Sequence, residues 1–72
     1  MSTFSERILD LKASKNRKQK DIAAAIGVSV RAYQYYETAQ KEPTLSVLIS
    51  LADYFNVSID YLVGRSDDPT RH

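Results

Sequence analysis

Apolar residues along this chain recur at helical spacing. Phe4, Ile8 and Leu11 stand four and three apart, and Thr3 followed by Glu6 is a capping-box pair. The spacing predicts a first helix over about residues 4–15, ended by Asn16, with Lys12 and Lys15 complementing the dipole of its last turn. Ile22, Ala23 and Ile26 mark a second helix that begins near Lys18 or Gln19 and stops at Gly27. Ser29 caps a third, with Ala32, Tyr33 and Tyr36 turned inward. Thr44 caps a fourth, whose inward stripe reads Leu45, Leu48, Ala52 and Phe55, widened by Leu51 and ended by Asn56. Ser58 caps a short fifth helix over about 59–63, closed by Gly64. No run alternates with period two, so the expected fold is all-α, five helices and no sheet.

The chain has 72 residues, enough for one small domain. We expect a domain over residues 1–64, then a polar tail or linker start over 65–72, frayed at its end. There is no cysteine, so neither a disulfide nor a thiolate metal site is expected. No apolar run reaches the length of a signal peptide core or a membrane span, which predicts a soluble, cytoplasmic protein. The single histidine is the terminal His72, and there is no glycine-rich phosphate loop. We therefore expect no enzyme activity, no cofactor, no metal and no small-molecule substrate.

Charge is unevenly placed. Residues 12–41 hold seven Lys/Arg against Asp21 and Glu37, a local excess of +5, whereas residues 42–72 hold two against five acids, −3. A domain polarised in this way can offer one basic face to a polyanion.

The densest information lies in Gln19 to Glu37, QKDIAAAIGVSVRAYQYYE. A helix-turn-helix needs a small residue where two helices cross, a turn residue able to take a positive φ, and apolar residues facing inward on both sides. Ala23 is the small residue and Gly27 the turn. Ile22, Ile26, Val28, Tyr33 and Tyr36 fill the inward positions. With those residues inward, Val30, Arg31, Gln34 and Tyr35 form the outward face of the third helix. That face offers candidate base readers if the helix enters a major groove, and Arg31 can pair with guanine O6 and N7. The start of the second helix offers free amides to a phosphate, helped by Gln19, with Arg17, Lys18, Lys20, Lys41 and Ser29 as further candidate phosphate contacts. Glu37 is acidic on this side, so we read it as structural, paired with a basic side chain of helix 1 or 2 such as Arg7.

From Phe4 to Asp67 the sequence resembles the phage-repressor type helix-turn-helix family of the lambda-repressor-like fold. The residues that carry the resemblance are Glu6-Arg7-Ile8, Gln19, Ile22-Ala23, Ile26-Gly27-Val28-Ser29, Tyr36-Glu37, Glu42-Pro43-Thr44, Leu48, Leu51-Ala52 and the run Val57 to Asp67. It implies a compact five-helix domain and a sequence-specific double-stranded DNA-binding regulator of transcription, most often a repressor. It places Val30, Arg31 and Tyr35 at positions that touch base edges and Gln19 at one that holds a phosphate. Lys18 departs from the Thr or Ser usual at the cap of helix 2, a loss of about 1 kcal/mol. Thr38-Ala39 replaces the usual Asn-Gly and predicts a different turn after helix 3.

Two-fold symmetry would double a short recognition site, so a homodimer on an inverted repeat is expected, with Ile49, Tyr61 and Val63 as its candidate interface. Dimerisation through a further C-terminal region of a longer chain is the alternative. A restriction-modification controller or an antitoxin would fit the same residues, and an adapter that binds protein rather than DNA is the rival function.

Overall fold

The computed structural model describes residues 3–71; Met1, Ser2 and His72 lie outside it. Five helices follow in order, α1 (Phe4–Ser14), α2 (Gln19–Ile26), α3 (Val30–Glu37), α4 (Leu45–Phe55) and α5 (Ile59–Leu62), with no strand among the described residues. Each boundary has a local cause. Thr3 and Glu6 close the capping box on α1, and Ser29, Thr44 and Ser58 each accept a hydrogen bond from the amide three residues on. Helix α2 has Lys18 at its N-cap position, with no side-chain cap, as that residue type dictates.

Left-handed residues end the helices. Gly27 has φ 77°, and a Cβ built on it would meet nothing within 4 Å, so glycine is needed there for its backbone freedom and not for space. Asn16 and Asn56 do the same with φ 54° and 56°. The turn after α3 departs from expectation. Ala39 takes φ 62°, while Gln40 N–H donates to Tyr35 O at 2.9 Å and Ala39 N–H to Tyr36 O at 3.4 Å. This is the left-handed closure that a glycine usually supplies, made here by alanine because the two returning bonds and the following loop hold it in place.

Helix α2 packs on α3 and α4, α1 on α3 and α5, and α4 on α5. Ile8, Ile22, Tyr33, Leu51, Phe55 and Leu62 are fully enclosed at the centre. Phe4 and Tyr36 meet edge to face, with ring centroids 6.3 Å apart. The buried line of α4 is Val47, Leu51 and Phe55 with Ala52, a ridge at +4 spacing, and not the line begun by Leu45 and Leu48. Leu45 is 68% exposed, since it stands about 200° around the helix from the buried Val47.

The tail over residues 65–71 is tied down. The Arg7 guanidinium reaches Ser66 O at 3.1 Å and Asp67 Oδ1 at 2.8 Å, and its Nε reaches Tyr61 O at 2.9 Å. Further along, Ser58 N–H donates to Pro69 O at 3.1 Å and Arg71 pairs with Asp53 at 2.7 Å. The polar composition of the segment suggested fraying, but its partners are charged and backbone groups of the body, which need no apolar side chains in return.

Candidate nucleic-acid interface

Helices α2 and α3 are joined by Gly27, Val28 and Ser29, and Ala23, 1% exposed, allows their close crossing. Ile22, Ile26, Tyr33 and Tyr36 are buried, and Val28 packs against that core half-exposed. With this face fixed inward, α3 can present only its opposite face. Val30 is 39% exposed, Arg31 and Gln34 are exposed and Tyr35 is half-buried.

Arg31 and Tyr35 stand one helical turn apart, and Arg31 Nε donates to the Tyr35 hydroxyl at 3.0 Å. That bond uses the Nε side of the guanidinium and leaves its terminal nitrogens for another acceptor. Lys41 Nζ lies 5.6 Å from the Tyr35 ring centroid on the loop after α3, so the ring is flanked by two cations.

At the start of α2, Lys18 O accepts from Asp21 and Ile22, and the preceding amides of the first turn have no carbonyl within the helix to bond. Those amides, with the positive end of the dipole, form an anion-binding geometry. Lys18 and Lys20 flank it, exposed. Arg17 is turned toward α4, its guanidinium 5.7 Å from the Tyr54 ring centroid. Ser29 spends its oxygen on the Ala32 amide and keeps its hydroxyl proton as a donor.

Gln19 bridges the two helices. Its Nε2 donates to Glu37 Oε1 at 2.8 Å and its Oε1 accepts from Gln34 Nε2 at 3.0 Å. Glu37 pairs with Lys12, Nζ to Oε2 2.9 Å, and not with Arg7, which is committed to the tail. Burial by itself would raise the Glu37 carboxyl, but the ion pair with Lys12, the nearby Tyr33 hydroxyl and the bond from Gln19 outweigh it and hold it below the usual carboxylate range. The Tyr33 phenol is pushed up, first by burial and then by the Glu37 carboxylate beside it. The basic segment thus neutralises one of its two acids, Glu37, internally, while Asp21 stays exposed in the first turn of α2 and Lys18, Lys20, Arg31 and Lys41 are exposed.

Sequence reasoning placed the partner of Glu37 on helix 1 or 2, where Lys12 stands, but named Arg7 as the example and missed Arg7 as the holder of the tail. A signal for Lys12 was present, since it stands four residues after Ile8 at the edge of the buried stripe, whereas nothing local marked Arg7 for Asp67, 60 residues on. Of the three candidate dimer residues, Ile49 is 44% exposed and Val63 half-buried. Tyr61 lies under the Arg7 guanidinium, 3.9 Å from its ring centroid, which covers one ring face.

A two-helix unit with a glycine turn, a sequestered acid and an outward cationic face defines a helix-turn-helix protein. The helix-turn-helix family model matches residues 8–62, and the chain belongs to that family. It is 37% identical over 62 residues to the cryptic phage CTXphi transcriptional repressor RstR of Vibrio cholerae, covering 86% of this chain and 55% of that protein. It is 33% identical over 66 residues to the uncharacterized HTH-type transcriptional regulator YobD of Bacillus subtilis, covering 92% of this chain and 59% of that one. The chain therefore spans little more than half the length of these curated relatives. A transcriptional regulator from Listeria innocua superposes with TM-score 0.82 at 39% identity, over 86% of this chain and 58% of that one. The P22 c2 repressor, solved in complex with a synthetic operator, superposes with TM-score 0.84 at 26% identity, over 92% of this chain and all of that one.

Proposed function

We propose that this protein is a sequence-specific double-stranded DNA-binding regulator of transcription, acting as a repressor. Helix α3 enters the major groove, and the start of α2 seats on the phosphate backbone. The observation that carries this reading is the outward presentation of Arg31, Lys18, Lys20 and Lys41 on the α2–α3 face while Glu37 is held inside by Lys12. The names of the relatives and the operator bound by the P22 protein support the same assignment.

In this reading Arg31 makes two hydrogen bonds to guanine, Val30 contacts a thymine methyl and Tyr35 orients Arg31. The amides of Gln19 and Lys20, with the side chains of Lys18, Lys20 and Lys41, hold phosphates. Residues 1–64 form the binding domain, with the tail strapped to it. Two copies related by a two-fold axis, in contact near Ile49 and Val63, read an inverted repeat. The site of action is the cytoplasm, and the protein acts by binding, with no catalytic step.

Selection from a randomised duplex pool, followed by anisotropy titration of the enriched sequence at several salt concentrations, tests the proposal. Enrichment of an inverted repeat, with log affinity falling against log salt by about 0.9 per phosphate contact, is the expected result. No enrichment, and no binding even at low salt, would replace this reading with a protein-binding adapter.

A further inference from the structure

Gln34 lies on the outward face of α3, yet its side chain is the last member of a line that begins inside the domain. The line runs from Lys12 Nζ to Glu37 Oε2 at 2.9 Å, from Glu37 Oε1 to Gln19 Nε2 at 2.8 Å, and from Gln19 Oε1 to Gln34 Nε2 at 3.0 Å. It ties α1, α3 and α2 together and returns to α3 at the surface.

Chemistry at the inner end fixes the direction of every bond. An ionised carboxylate only accepts, so Gln19 must turn its NH2 group toward Glu37 and its carbonyl oxygen outward. That oxygen also only accepts, so Gln34 must offer its NH2 group in turn. Gln34 is left with its own Oε1 and one remaining N–H toward solvent, in an order it cannot reverse without breaking the line.

An amide held with one donor beside one acceptor matches the major-groove edge of adenine, where N7 accepts and N6–H donates. Guanine shows two acceptors there, O6 and N7, and would set O6 against Gln34 Oε1. We propose that Lys12, Glu37 and Gln19 are positioning residues for sequence reading, and that they orient the Gln34 amide so that it selects adenine over guanine at one base pair. The inference rests on α3 being the groove-reading helix, and it adds to that reading the base Gln34 prefers and the buried groups that set the preference.

The test uses the full chain and the duplex selected by the wild type, with every base pair of a half-site replaced in turn. Gln34→Ala identifies the base pair at which adenine preference collapses, by roughly 5- to 150-fold, the range of one two-bond amide contact. Gln19→Met cuts the line while leaving the Lys12–Glu37 pair intact, and Glu37→Gln lets the Gln19 amide turn either way. Both should lower the adenine-to-guanine ratio at that same base pair and leave the ratios elsewhere unchanged. Gln19→Met keeps the backbone amide that faces the phosphate, and any loss common to all sequences cancels in the ratio. In the double variant Gln19→Met/Gln34→Ala the ratio should fall no further than in Gln34→Ala alone. Selection by the wild type with an unchanged ratio in Gln19→Met overturns this inference alone. Failure of the wild type to prefer any sequence overturns it together with the reading of α3.

Discussion

Ala39 holds φ 62° in the turn after α3, a conformation that costs an L-residue with a Cβ roughly 1–2 kcal/mol. Its methyl is exposed, so removing it forfeits no buried area. The two bonds that close the turn, Gln40 N–H to Tyr35 O at 2.9 Å and Ala39 N–H to Tyr36 O at 3.4 Å, are backbone bonds that glycine retains. Against the relief stands the greater freedom of glycine in the unfolded chain, about 0.4–1 kcal/mol. Ala39→Gly should therefore stabilise the protein by about 0.5–1 kcal/mol, which in a domain of this size raises the melting temperature by roughly 2–8 °C. Asn56 supplies the control, because it holds φ 56° with a side chain that suits the left-handed region, so Asn56→Gly should gain less. Thermal melts and urea titrations of the three proteins decide the matter, with the urea slope unchanged if only the turn is affected. A loss of stability in Ala39→Gly, or an equal gain in Asn56→Gly, would refute the strain assigned to Ala39.

Three further outcomes follow from the packing and the charged face. Arg31→Ala should cost about 1–3 kcal/mol on the selected site and relax preference at one base pair, whereas Lys20→Ala should weaken all sequences alike and reduce the salt slope by about one unit. Anisotropy on matched and mismatched duplexes separates the two, and uniform loss in both would remove Arg31 from base reading. Ala23→Leu places three extra carbons where a residue is 1% exposed at the crossing of α2 and α3, and overpacking should cost roughly 1–3 kcal/mol by urea unfolding. Glu37 has its folded pKa held down, so its contribution to stability is complete above the unfolded value of about 4.3 and fades as pH falls through the folded one. Urea midpoints followed from pH 6 to pH 2 should decline less steeply in Glu37→Gln than in the wild type, and parallel declines would contradict the pairing.

Local signals were legible in the sequence and distant pairings were not. Thr3, Ser29, Thr44 and Ser58 were readable as caps because each bonds an amide three residues away. Gly27 and Asn56 were readable because left-handed turns select those types. Ala39 was misread, since alanine carries no such signal and the turn is imposed by its surroundings. On α4 the apolar residues are too many to define one face, and the fold buries Val47 and leaves Leu45 exposed. The tail binds through Arg7 and Asp67, 60 residues apart, so its order had no local mark.

The same division runs through the candidate site. The outward face of α3 followed from the helical wheel once Tyr33 and Tyr36 were turned inward, and Arg31 with Tyr35 is a one-turn pair. The Gln19 bridge joins Glu37 and Gln34 at separations of 18 and 15 residues, which only the crossing of α2 and α3 brings within bonding distance. What composition showed as a surplus of cations is, in the fold, a surplus with one of its two acids, Glu37, taken inside.

The claim that α3 reads DNA is tested most directly by mapping backbone amide chemical shifts of the labelled protein during titration with the selected duplex. The largest changes are expected at Gln19 and Lys20, across Val30 to Tyr35, and at Lys41. Changes concentrated around Leu45 and Ile49 on α4, with α3 unmoved, would contradict it.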